Sequence, residues 1–371
     1  MVKNAALQQT AIPSVLMRGG SSKGLFFLAS DLPSDIETRD NVLLAAMGSP
    51  DVRQIDGIGG ADPLTSKVAI VSRSDMDGVD IDFLFAQVSV DAAKVDTSPN
   101  CGNMLAGVGP FAIEHGLIDA IDPETVVRIH TVNTGMIADA AIQTPGGVVN
   151  YGGDARIDSV PGSSAPVKIS FLDIAGSVCG TLLPTGKTVD TIQGIEVTCV
   201  DNGMPVVVMR AEDMGITGYE SRDQLNNDDA LKARLEELRI PAGELMRLGD
   251  VSERVVPKMT MVAAPRDGGA ICTRTFIPRV CHASIGVLGA VSAATACVFP
   301  GTPGNALSDL PDGAPMSVSV EHPSGEFTIE LDVDYSGDLP TVRQAALLRT
   351  TRKLFAGQVF IPGKIWDGVT D

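Results

Sequence analysis

The segment ASIGVLGAVSAATACVF, residues 283–299, contains no charged side chain. A membrane-spanning helix needs roughly 20 apolar residues. This run is shorter and is built from Gly, Ala and Ser rather than Leu. A helix that is apolar on every side offers no face to water and belongs in a core. The segment therefore predicts a domain in which other elements wrap a central helix. A second run, MLAGVGPFAI at 104–113, has the same small, uncharged character and suits either a helix or a buried strand.

Most of the remaining chain reads as strand. In VDIDFLFAQVSVD (79–91), Val79, Ile81, Phe83 and Phe85 alternate with Asp80 and Asp82, the period of a half-buried strand. APMSVSVEHPSGEFTIELDVD (314–334) reads as a hairpin turning at Pro-Ser-Gly, and IEVTCVDNGMPVVVMRA (195–211) as another turning at Asp201-Asn202-Gly203. One polar helix is expected over 221–240, with Leu225, Leu231, Leu235 and Leu238 as its buried stripe, and another over 339–357. The class is α+β.

Aligning Cys101 with Cys281 also places Gly109 on Gly289, a short internal repeat. Each copy follows a Pro-bearing turn, TSPN or FIPR. The repeat predicts two similar halves, 1–185 and 186–371, joined near LLPTGKTVDTIQG. Both helix starts would then face one cleft, where free N–H groups and helix dipoles favour an anion. The formal charge of −18 argues against nucleic acid and anionic lipid as partners. It leaves room for an anionic small molecule, because a few local donors decide that. Six cysteines and four histidines are scattered, with no CxxC pair and no zinc spacing. Reduced thiols, a cytoplasmic location and no metal follow as expectations. The opening residues lack a long apolar run and a cleavage site, so no secretory leader is expected.

Four places suit chemistry. In SPNCGNM, Cys101 stands where a helix would begin. A helix N-terminus favours the thiolate, Gly102 admits close approach, and the N–H groups of Gly102, Asn103 and Met104 suit an oxyanion. A buried structural cysteine is the alternative. In MRGGSSKG (17–24), Arg18, Ser21 and Ser22 flank a glycine turn that suits a carboxylate; the spacing is not that of a P-loop. In GGADPLTSKVAIV (59–71), Lys67 opens an apolar run. It is either a snorkelling strand-end lysine or a desolvated one, suited to general-base work. In RVCHAS (279–284), Arg279, His282 and Ser284 precede the second apolar helix, where His282 is a carboxylate partner or a satisfied core residue.

Together MRGGSSKG, GGADPLTSKVAIV, SPNCGNM and CHASIG resemble, in order, the signature pieces of the PrpF-like isomerases, relatives of diaminopimelate epimerase. The resemblance spans most of the chain. It implies two pseudo-symmetric domains, each with strands around a central helix, and cofactor-independent proton transfer at carbon. It further implies double-bond migration in an unsaturated di- or tricarboxylate, nearest to 4-oxalomesaconate, with 2-methylaconitate and 3-methylitaconate as alternatives. The family's catalytic lysine and cysteine fall on Lys67 and Cys101. Arg18, Ser21, Ser22, Arg279, His282 and Ser284 become carboxylate-binding candidates, and Gly102, Asn103 and Met104 oxyanion donors. CHASIG departs from the second-half Cys-Gly-Thr/Ser-Gly pattern of the true racemases, which disfavours one-carbon inversion by Cys101 with Cys281. An amino-acid epimerase and a non-catalytic accessory of an aconitase-like dehydratase are the rival functions. No metal or organic cofactor is implied, and a second copy of the chain is a candidate partner.

Overall fold

The computed structural model describes residues 8–172 and 174–369. The opening stretch read for a leader lies partly outside them. The chain forms two compact units. The first comprises residues 1–169 and 349–371, the second 170–348.

In the first unit the strands are β1 (Gln9–Gly19), β2 (Ser22–Leu28), β3 (Lys67–Arg73), β4 (Ile81–Val88), β5 (Val95–Asp96), β6 (Glu124–Thr131) and β7 (Met136–Gln143). Helix α1 (Ile36–Met47) joins β2 to β3, and α2 (Gly102–Glu114) joins β5 to β6. Antiparallel pairs β1–β2, β3–β4 and β6–β7 are linked by parallel pairs β2–β3 and β4–β6. The sheet curls around α2, whose residues 104–112 are all buried. Small residues make this possible. A methyl at Gly107 would lie 2.6 Å from the Phe26 ring, and one at Gly109 2.4 Å from Ile142. Both distances are below van der Waals contact, so the helix could not sit this close to the strands with larger side chains.

Strand β8 (Pro166–Phe171) leads into the second unit. There follow β9 (Asp190–Ile192), β10 (Ile195–Asp201), β11 (Pro205–Arg210), α3 (Arg222–Asn226), α4 (Asp229–Leu245), β12 (Lys258–Ala263), β13 (Ile271–Phe276), α5 (Val287–Val298), β14 (Met316–His322), β15 (Gly325–Asp334) and β16 (Thr341–Pro362). The pairing repeats that of the first unit step for step. β10–β11, β12–β13 and β14–β15 are antiparallel, while β11–β12 and β13–β14 are parallel. Helix α5 is buried from Gly289 to Val298. Its two polar residues are satisfied: Ser292 donates to the Met204 carbonyl at 2.7 Å, and Thr295 accepts from the Asn202 amide at 2.9 Å.

Several expectations need correction. The run over 339–357 is strand from Thr341 onward, not helix. β16 pairs with β15 in the second unit and with β1 in the first. Those ladders satisfy its backbone, and its Thr350-Thr351 pair suits a strand. The same strand moves the boundary. Its end, from Arg349 onward, belongs with β1, so the units divide at 169/170 and 348/349 rather than at 185/186. The helix expected over 221–240 is two helices, because Ser221 caps α3 and Asp228 caps α4. The repeat is real in topology, but its register differs from the Cys101–Cys281 alignment. Cys101 is the N-cap of α2, whereas Gly286 is the N-cap of α5. Cys281 instead bridges back to Phe276.

Candidate functional site

In the first unit the turn before α2 is held from beneath. The Asp96 carboxylate accepts from the backbone N–H and hydroxyl of Ser98 at 2.9 and 2.7 Å. Asn133 donates to the carbonyls of Thr97 and Phe85 at 2.7 and 2.8 Å. The amide of Asn100 donates to the hydroxyls of Thr131 and Thr134. This fixes Cys101 as N-cap in extended backbone, and its side chain makes no capping bond. The first N–H groups of a helix have no intrahelical partner. Gly102, Asn103 and Met104 therefore present donors that the cap leaves unused. Cys101 is half-buried, and the five other cysteines are buried.

The MRGGSSKG turn packs directly on that first helical turn. A methyl at Gly19 would lie 2.4 Å from the Asn103 carbonyl oxygen, and Gly20 adopts a left-handed φ of 53° with only 2.2 Å from such a methyl to Asn103 Oδ1. Asn103 donates to the hydroxyls of Ser21 and Ser22 at 3.1 and 3.4 Å, and its Oδ1 accepts from Arg349 at 3.1 Å. Both serines thus keep a proton to donate elsewhere. Arg18 is engaged within the protein. It donates to Gly20 O, Thr350 O and Thr350 Oγ1 at 2.8, 2.9 and 3.0 Å, and to Ser164 at 3.3 Å. Burial, with the nearby charge of Arg352, lowers its pKa. In this geometry Arg18 buttresses the serine turn.

Lys67 opens β3 and is only 9% exposed. The strand register places Met17, Gly24, Lys67, Gln87 and Asp96 in one row across the sheet. Gly24 is the close contact between the lysine and the helix. A methyl there would lie 2.1 Å from Lys67 O and 2.8 Å from Met104 Cε. Lys67 Nζ donates to Gln87 Oε1 at 2.9 Å and lies 5.0 Å from the Phe85 ring centre. The Gln87 amide orientation is fixed, since its Nε2 donates to the carbonyls of Pro63 and Ser66, each at 3.0 Å. Among the described residues no carboxylate pairs with Lys67. A neutral acceptor therefore orients the amine.

In the second unit Arg279 is an exposed side chain paired with Glu236 at 3.5 Å. Cys281 is buried, its N–H donates to Asn226 and its carbonyl accepts from Arg222. Burial raises its thiol pKa. His282 Nδ1 accepts from the Ser284 N–H at 2.9 Å, and the Ser284 hydroxyl meets His322 Nε2 at 3.2 Å. Desolvation and then the charge of Lys258 lower the His282 pKa, which favours the neutral ring. The structure thus groups Ser21, Ser22, Asn103 and Met104 at one helix start, with Lys67 behind Gly24, and His282 with Ser284 ahead of the other.

Sequence reasoning missed Gln87, although a signal was there. It breaks the inward apolar face of Ile81, Phe83 and Phe85 at the next alternate position. It also missed Lys258, a second lysine opening an apolar strand. Among the described residues no group of histidine, cysteine, aspartate or glutamate is gathered as a metal site, and no helix is long and apolar enough to cross a membrane.

The PrpF protein family matches residues 9–362. A (4E)-oxalomesaconate Delta-isomerase from Novosphingobium sp. (strain KA1) is 59% identical over 349 residues, covering 94% of this chain and 97% of its own. The crystal structure of a methylitaconate-delta-isomerase is 36% identical with a TM-score of 0.83, covering 97% of both chains. A hydroxyproline epimerase from Agrobacterium vitis, at 14% identity and a TM-score of 0.50 over 96% of this chain and 93% of its own, shares the fold alone.

Proposed function

The chain belongs to the PrpF family, and from that membership we propose that this isomerase moves a carbon–carbon double bond in an unsaturated tricarboxylate, with 4-oxalomesaconate as substrate. The relative of 59% identity carries that substrate in its name. Lys67 is the general base. Its amine, aimed by Gln87 and free of any described carboxylate, removes a proton from the carbon next to a carbonyl or conjugated acid. The electron pair spreads into a dienolate. The unused N–H groups of Gly102, Asn103 and Met104 hold the developing oxyanion, as helix-start donors do. The proton then returns to the far carbon of the three-carbon unit, from the Lys67 ammonium or from the Cys101 thiol. No atom is gained or lost. Ser21 and Ser22 bind a carboxylate of the substrate.

The single observation that carries this reading is the row Gly24–Lys67–Gln87, which holds an amine with a neutral acceptor behind a bare helix start. A cysteine-pair epimerase is disfavoured, because Cys281 is buried and the cap it would need to occupy is Gly286. The likeness to a methylitaconate-delta-isomerase keeps a smaller dicarboxylate as the competing substrate for the same chemistry. The test is an NMR screen in deuterated water with unsaturated di- and tricarboxylates. Exchange and migration in 4-oxalomesaconate support the reading. Alpha-deuterated amino acids instead would reject it.

A further inference from the structure

The second unit repeats the first strand for strand, and the repetition extends to a lysine. Lys67 is the first residue of β3, which runs parallel to β2 and antiparallel to β4. Lys258 is the first residue of β12, which runs parallel to β11 and antiparallel to β13. The surroundings differ: the parallel neighbour of Lys67 is Gly24, and that of Lys258 is Val206. Lys67 has Gln87 beside it on the next strand, whereas β13 ends at Phe276 and continues into Ile277, which offers no polar side chain. No hydrogen bond or ion pair to Lys258 Nζ occurs among the described residues, and the side chain is half-buried. Its Nζ would lie 3.5 Å from a methyl placed at Gly286, the N-cap of α5. The amine therefore stands at the mouth of that helix, beside His282.

A desolvated ammonium without a counter-ion is costly, and a bound carboxylate removes the cost. The neighbouring groups suit the same guest. His282 accepts from Ser284 through Nδ1, so its neutral ring carries the proton on Nε2 and donates there. Arg222, which donates to the Cys281 carbonyl, adds positive charge nearby. Burial lowers the Lys258 pKa, and no carboxylate counteracts it.

We infer that Lys258, with His282 beside it, binds a carboxylate of a small polycarboxylate within the second unit. The binding stands apart from the isomerase reading, which concerns the first unit. The test uses propane-1,2,3-tricarboxylate, which has no double bond to move. Calorimetry on the whole chain compares wild type, Lys258→Met and Lys258→Arg. The wild type should bind, Lys258→Met should lose about tenfold or more in affinity, and Lys258→Arg should recover part. In unmutated protein the same probe should slow reductive methylation of Lys258, read by mass spectrometry, which keeps the test open if a variant does not fold. A wild type that does not bind, a Lys258→Met protein that binds within about twofold of wild type, or an unprotected Lys258 would overturn the inference. Binding that depends on Lys258 in a protein that isomerises nothing would uphold it and reject the catalytic reading.

Discussion

Replacing Gln87 separates orientation of the amine from its charge. Gln87→Leu removes the acceptor at 2.9 Å and the donor to Pro63 and Ser66. A hydrogen bond between neutral groups contributes about 0.5–1.5 kcal/mol. If that energy fixes the attacking geometry, kcat should fall about 2- to 10-fold, since each 1.4 kcal/mol is about tenfold. Two carbonyls also lose their donor, so stability should fall by roughly 1–3 kcal/mol. Gln87→Glu keeps the shape but sets a carboxylate against the amine. An opposite charge favours the ammonium, and a general base acts as the free amine. At a given pH kcat should therefore fall below the wild-type value. The assay follows vinyl and methylene signals across the pH range, alongside a urea melt. A Gln87→Leu protein with unchanged kcat, or a Gln87→Glu profile that overlays the wild type, would refute the assignment of Lys67 as an oriented base.

Three further outcomes are expected. Gly24→Ala places a methyl 2.1 Å from Lys67 O and 2.8 Å from Met104 Cε, and overpacking of this kind costs about 1–3 kcal/mol; denaturant titration and kcat should both register it. Native alkylation should label Cys101 first and leave Cys199 and Cys297 untouched until unfolding, because burial pushes both of those thiols up to about 12; peptide mass mapping reads the order. The hydrogen bond and charge of buried Arg239 hold the Glu236 carboxyl below its usual range, so its stabilisation is present above about pH 4.3 and is lost as pH falls through the lower folded value; Glu236→Gln should flatten that acid loss and cost about 1–3 kcal/mol at neutral pH, measured by urea melts.

The core helices were legible because they lack charge. α2 and α5 have no face for water, and their small residues show how closely the strands approach. The hairpins around Asn202 and Ser324 followed from turn chemistry. What sequence pattern could not supply was long-range pairing. The run through Arg349 and Lys353 has helical composition, yet its partners are β15 and β1, both remote in sequence, and they make it strand. The repeat was visible but misregistered, since two matching residues outweighed the lysine-led strands that carry it. Arg18 illustrates a different limit. An arginine in a glycine turn suggests an anion site, whereas its acceptors are backbone and hydroxyl oxygens brought from Thr350 and Ser164. Only the folded ladder reveals them.

Lys67→Met removes the amine while keeping an unbranched side chain in its place. Incubated with 4-oxalomesaconate in deuterated water, the wild type should move the double bond and take up deuterium at the far carbon of the three-carbon unit. The folded variant should do neither. Isomerisation or exchange by Lys67→Met at the wild-type rate would contradict the account at its centre.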